Sequence, residues 1–264
     1  MISSSPLFSR WARALRATYV PACQNPRTRR IPKSPLFDRH HFSLRFLSFF
    51  RMEETPISSF GGAATAGSSS PAGRREMVGD VDCFELSASS VLKLQKGDIT
   101  SWFVDGATDA IVNAANERML GGGGVDGAIH RAAGPELKAA CFEVPEVRPG
   151  VRCPTGEARI TPAFQLPVSR VIHTVGPIFG AVENPEVLLR NAYRNSLILA
   201  KENNIQYIAF PAISCGVYRY PCDDASKIAL FAIKEFPSDF KEVHFVLFSD
   251  DVYRAWLESA IEFM

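Results

Sequence analysis

Four consecutive glycines, Gly121, Gly122, Gly123 and Gly124, are followed by Val125 and Asp126. A backbone stripped of side chains lets amide N–H groups approach an anion closely. A helix beginning just beyond adds the positive end of its dipole. A pyrophosphate is the natural guest of such a cradle. A mobile linker is the bland alternative, but the glycines lie inside a dense strand–loop–helix unit with loops of ordinary length. Gly122, Gly124 and Gly127 also fit G-x-G-x-x-G. A dinucleotide-binding fold wants those glycines directly after its first strand, and here the stretch from Asn113 to Gly121 intervenes. No Lys-Ser or Lys-Thr pair follows the glycines, so P-loop spacing fails.

Ser214, Cys215, Gly216, Val217 and Tyr218 form a second loop, straight after an apolar run at 208–211. Gly216 frees backbone amides and Tyr218 offers an aromatic face to a sugar, so the two loops can clamp a diphosphate from both sides. Asn113 and Asn116 carry amides that donate and accept, which suits sugar hydroxyls. Asp126 is placed to orient a water or take its proton. It is equally of a type that caps a helix, and the two roles are compatible. Asp98 can accept from an exocyclic amine such as that of adenine, or bond its own backbone in a turn. His130 lies four residues beyond Asp126 on the same helical face and reads as a packing residue, as does His173 inside an apolar run. Cys153 and Cys215 have no local Cys–His signature and are not read as nucleophiles.

These residues need elements to hold them. Apolar runs bounded by turn residues predict strands at 91–95, 110–114, 158–161, 171–175, 207–211 and 243–248. Helical patterns cover 126–141, 185–202, 223–236 and 250–263, with Pro185 near one start and Asp223 a possible cap of another. Strands alternating with helices predict a layered α/β domain with a largely parallel sheet. Ligands of such sheets sit beyond the carboxyl ends of the strands, where the polar and glycine-rich segments collect.

The chain has 264 residues, a formal net charge of +1 and 46% apolar residues. That near-neutral balance gives no global pull toward nucleic acid or membrane. No run of about eighteen or more apolar residues offers a membrane span. Six cysteines, none in a C-x-x-C pair, read as free thiols in a reducing compartment, with no structural zinc. Residues 1–52 are rich in Arg and Ser, with Asp38 as their only acid. Phe8, Trp11, Ala12, Leu15 and Tyr19 recur there at helical spacing, with Arg10, Arg13 and Arg16 on the other side. This is the pattern of an import leader for a mitochondrion or chloroplast. An unstructured leader, or a start at Met52 giving a cytoplasmic or nuclear protein, is the alternative. Residues 53–80 read as a flexible Gly/Ala/Ser-rich linker, and 81–264 as one globular domain.

Several motifs in one order resemble the macrodomain family. They are Gly97-Asp98-Ile99-Thr100; Asp109 to Asn116; Gly121 to Gly134; Cys153-Pro-Thr-Gly156; Val171 to Pro177; and Ala209 to Ile213. The Gly-Gly-Val-Asp form looks like the MacroD-type branch of ADP-ribosyl hydrolases. The resemblance implies a three-layer α/β/α sandwich around a mixed, mainly parallel sheet, with an ADP-ribose cleft across the strand ends. Asp98 would hold the adenine amine with Ile99 beside it, and Phe248 would pack on the adenine face. Loops 121–124, with Val125, and 214–218 would hold the diphosphate. Asn116 would bind the distal ribose, Asp126 would position the attacking water, and Tyr218 would stack on that ribose. The implied reaction is hydrolysis of ADP-ribose esters on Glu or Asp side chains, of O-acetyl-ADP-ribose, or of ADP-ribose 1″-phosphate, with no metal or cofactor. The alternative is a module that binds ADP-ribose on modified proteins without turnover. Partners would be ADP-ribose and mono-ADP-ribosylated proteins, not nucleic acid or membrane, and the chain is expected to be monomeric. Three departures stand out: a longer segment through Asp105 to Thr108, Cys215 where the family usually has Thr, and Arg219 in place of a common Gly.

Overall fold

The computed structural model describes residues 75–264. The leader expected over 1–52, its import signal and most of the expected linker lie outside the described residues. The described chain opens on β1 (Arg75–Val78), β2 (Val81–Ser87) and β3 (Ser90–Lys96). β4 (Asp109–Ala114), β5 (Ala158–Pro162), β6 (Arg170–Thr174), β7 (Tyr207–Phe210) and β8 (Glu242–Leu247) complete the sheet. Its eight strands run in the order β1-β2-β3-β8-β7-β4-β6-β5. The pairings from β3 through β8, β7 and β4 to β6 are parallel, and the edge pairings β1–β2, β2–β3 and β5–β6 are antiparallel.

Five helices flank the sheet among the described residues: α1 (Gly124–Ala133), α2 (Pro135–Glu143), α3 (Pro185–Glu202), α4 (Cys222–Ile233) and α5 (Asp250–Phe263). The pleat sends neighbouring residues of a strand to opposite faces. Ala110, Val112, Ile172, Ile208, Phe210 and Phe245 face a core shared with Leu189, Tyr193, Leu230 and Trp256 of α3, α4 and α5. Ile111, Val171, Ala209 and Val246 face a second core with Ile129 and Leu137 of α1 and α2. The central strands are therefore apolar on both faces, as a sheet covered on both sides requires. This is the expected three-layer α/β/α sandwich.

Three expectations need correction. The single helix expected over 126–141 is two helices. Gly134 has φ +83°, a backbone that glycine adopts freely, and Pro135 opens α2, so the first helix ends there and a fresh one begins. The sheet also extends further than expected. β1 lies within the expected linker and is held by pairing to β2. In addition, α4 starts at Cys222 after Pro221, so Asp223 sits in its first turn rather than at its cap. No helix among the described residues is long and apolar enough to cross a membrane.

Candidate active site

A cleft of about 720 Å³ opens across the carboxyl ends of the parallel strands. That volume suits a ligand of nucleotide size. The strand order dictates its layout. Asp98 follows β3 and Phe248 follows β8, at one end. The 214–218 loop follows β7, in the middle. Asn116 follows β4 and Gly176 follows β6, at the other end.

At the first end, Asp98 caps a 3-10 turn, Ile99–Ser101. Its Oδ1 accepts from Thr100 N (2.9 Å) and Thr100 Oγ1 (2.8 Å), and the residue lines the cleft. The turn role of Asp98 uses one oxygen, so it does not by itself exhaust the carboxylate. Trp102 anchors the turn from below, where its Nε1 donates to His244 Nδ1 at 3.2 Å. Ile99 and Phe248 line the same end, and Phe248 is 89% exposed. The longer segment after Asp98 is tied down elsewhere. Asp109 accepts from the backbone N–H groups of Val104, Asp105 and Gly106, and Asp105 caps Ala107 and Thr108. None of those loop residues lines the cleft.

At the far end, Gly122, Gly123 and Gly124 and Val125 line the wall, and Gly123 caps α1 without any side-chain bond. The first amides of α1 are therefore free for an anion. Gly122 leaves no room for a side chain, since a Cβ would lie 2.9 Å from Asp126 Oδ2 and 3.0 Å from Asn116 Nδ2. Asp126 is 3% exposed yet lines the cleft. Burial raises its carboxyl above the ordinary value, while the Asn113 hydrogen bond and His130 pull it down less. It sits inside α1 and bonds side chains, so it does not cap the helix. Asn113 Nδ2 donates to Asp126 Oδ1 at 2.8 Å, and Asn116 Nδ2 lies 3.4 Å from Asp126 Oδ2 and donates to Gly121 O at 3.1 Å.

Asn113 itself is fully buried and does not line the cleft, so its expected contact with a sugar is not what the structure places there. It stands behind the cleft and holds Asp126. The same Nδ2 reaches His173 Nδ1 at 3.1 Å, which makes that nitrogen an acceptor and leaves Nε2–H to donate to Thr161 Oγ1 at 3.0 Å. Burial pushes His173 down to about 3, so it stays neutral and structural as expected. Gly121 also stands just outside the lining and contributes its carbonyl to Asn116.

The second loop closes the cleft from above. Ser214, Cys215, Gly216, Val217 and Tyr218 all line it. Ser214 adopts φ +66°, and the loop folds back through Tyr220 N donating to Ser214 O at 2.9 Å. Burial raises the Tyr218 hydroxyl, with Asp126 and Glu117 adding to the effect.

Residues 112–229 match the macro domain profile. A macro domain-containing protein of Vibrio parahaemolyticus is 50% identical over 167 residues, covering 63% of this chain and 95% of the relative. The chain belongs to the macro domain family. An O-acetyl-ADP-ribose deacetylase of Citrobacter rodentium is 52% identical over 164 residues, covering 61% of this chain and 89% of the relative. Among solved structures, the Oceanobacillus iheyensis macrodomain with ADP is 47% identical with a TM-score of 0.61, covering 65% of this chain and 90% of that one. The Trypanosoma brucei macrodomain in complex with ADP-ribose is 40% identical with a TM-score of 0.55, covering 63% and 68%.

The macrodomain's cleft holds residues that the sequence reading passed over. Gly176 and Arg131 line it. Arg131 lies over Gly127, where a Cβ would meet its guanidinium at 3.2 Å and Gly122 O at 2.5 Å. Helical spacing from Gly127 to Arg131 was the available signal. Cys215 lines the cleft, but burial pushes its thiol far up, and Cys153 rises to about 12. Neither is a thiolate nucleophile in this macrodomain. Arg219 is exposed and outside the cleft lining.

Proposed function

We propose that this macrodomain binds ADP-ribose and hydrolyses ADP-ribosyl esters. The substrates would be ADP-ribose on Glu or Asp side chains, O-acetyl-ADP-ribose, and ADP-ribose 1″-phosphate. The observation that carries the proposal is the desolvated carboxylate of Asp126 at the ribose end of a helix-capped glycine cradle, held by Asn113 and flanked by Asn116. Adenine lies toward Asp98 and Phe248, the diphosphate sits between the glycine loop and 214–218, and the distal ribose lies under Tyr218. Asp126 then holds a water against C1″ of that ribose. The water forms the new C–O bond, the ester's C1″–O bond breaks, and the leaving group departs as a carboxylate, or as inorganic phosphate from the 1″-phosphate. The water's proton passes to Asp126 or to solvent. Positioning and a base account for such a step without demanding a better leaving group. The named activity of the Citrobacter relative supports the same reading.

The test is ADP-ribose release from a protein mono-ADP-ribosylated on Glu or Asp, measured with the purified full chain, with O-acetyl-ADP-ribose in parallel. Release from either supports a hydrolase. Tight ADP-ribose binding without release from either assigns a binding module instead. The adenine end is checked separately. Asp98→Asn keeps an oxygen for Thr100 but places an amide where the adenine amine must be accepted. Calorimetry should show ADP-ribose affinity weakened by about 1 to 2 kcal/mol. Unchanged affinity would reject the role of Asp98.

A further inference from the structure

Resting on this reading of the cleft, we propose that the apolar rim of Ile178, Phe179 and Val217 docks the polypeptide that carries the ADP-ribosyl group. The strand order sets the argument. On that reading adenosine lies toward Asp98 and Phe248, after β3 and β8, and the distal ribose toward Asn116 and Asp126, past the end of β4, with β6 next to β4 in the sheet. Whatever is bonded to C1″ therefore leaves the cleft past the loop that follows β6.

That loop is apolar and open. Ile178 is 48% exposed and Phe179 45% exposed, and Val217 opposite is 80% exposed while lining the cleft. The two sides are one surface. Phe179 N donates to Tyr218 O at 3.0 Å, and the Phe179 ring meets Tyr220 edge-on with centroids 5.0 Å apart. The rim is thus built onto the same loop that holds the distal ribose. The charged group just after β4 does not compete for this exit. Glu117 accepts from Thr155 N and Thr155 Oγ1, both at 3.1 Å, and pairs with Arg148. Open apolar side chains continuous with a ligand cleft mark a site for an apolar partner group. A peptide with an aliphatic residue beside the modified acid reaches the rim. The rim therefore selects protein substrates with a bulky apolar residue next to the ADP-ribosylated Glu or Asp.

The test uses two peptides bearing ADP-ribose through a non-hydrolysable linkage at one position, with Leu or Ser as the neighbouring residue. Affinities are measured by calorimetry against the full chain, beside free ADP-ribose. The Leu peptide should bind about tenfold more tightly than the Ser peptide, the scale of one partly buried aliphatic side chain. Ile178→Asp, at an exposed position outside the ADP-ribose contacts, should abolish that difference and leave free ADP-ribose affinity unchanged. Equal affinity for both peptides, or a preference that survives Ile178→Asp, overturns the rim. Failure of free ADP-ribose itself to bind would instead sink the reading of the cleft, and the rim with it.

Discussion

Asp126→Asn should lower turnover of an ADP-ribosyl ester by about 10² to 10⁴ while leaving ADP-ribose affinity within about tenfold, because a positioned base acts on the reacting water rather than on ground-state binding. The variant keeps an oxygen for Asn113 Nδ2, which reaches it at 2.8 Å, so the residue is held in place and only its basicity is lost. The pH profile adds a second signature. Burial raises the Asp126 carboxyl above the ordinary carboxylate value. The form that holds water is ionised, so the wild-type rate should fall on acidification at a pH above that expected of an exposed aspartate. Stability runs the other way. A folded-state value above the unfolded one means that folding takes up a proton. The contribution is full below the unfolded value and is lost as pH rises through the folded one. Chemical denaturation across that window should show wild-type stability falling with rising pH and the Asn variant lacking that component. Wild-type turnover in Asp126→Asn would leave the carboxylate a structural group.

The sequence showed which residues are chemically capable, and the pleat decided which of them face a ligand. Asn113 and Asn116 are the same amide three residues apart. Asn113 lies within β4 on the face covered by α1, so it is buried and serves Asp126. Asn116 lies beyond the strand end and reaches the cleft. Residue type alone suits both to a sugar; the pleat turns Asn113 inward, and the end of the strand releases Asn116. The glycine cradle was legible because no common structural role demands four glycines before a helix. Gly176 was not legible, because its use is to let another loop approach, and that loop lies far along the chain. β2 was passed over for a related reason. Asp82, buried beside Phe84, and Glu85, exposed on the other face, interrupt it, so it lacks the continuous apolar run that betrayed the central strands. The Gly134–Pro135 break was readable from those two residues, but the apolar periodicity running through them dominated the reading.

Gly176→Ala tests that hidden loop contact. A Cβ at this position would overlap Ser214 Oγ and lie 2.6 Å from Ile213 Cγ2. Neither the Ile213 side chain nor the Ser214 backbone can yield easily. Ile213 is fully buried and its N–H bonds Tyr193 Oη at 3.1 Å, while Ser214 is fixed at φ +66° by the bond from Tyr220 N to its carbonyl. The added methyl must therefore move the 214–218 loop away from the glycine cradle. Overpacking of this kind costs about 1 to 3 kcal/mol of stability. A clamp displaced by a fraction of an ångström to an ångström costs about 10² in turnover. Both losses should appear together, as a lower denaturation midpoint and a lower kcat/KM on O-acetyl-ADP-ribose. Ser214→Gly supplies the control. Ser214 Oγ is buried without a hydrogen-bond partner among the described residues, and glycine accepts the positive-φ backbone there at little cost. In the double variant the worst overlap is gone and only the Ile213 methyl contact remains. The pair should therefore recover part of both losses relative to Gly176→Ala alone, a coupling that two independent sites would not show. Strict additivity of the two substitutions would mean that the 176 position acts on the cleft by some route other than the Ser214 loop.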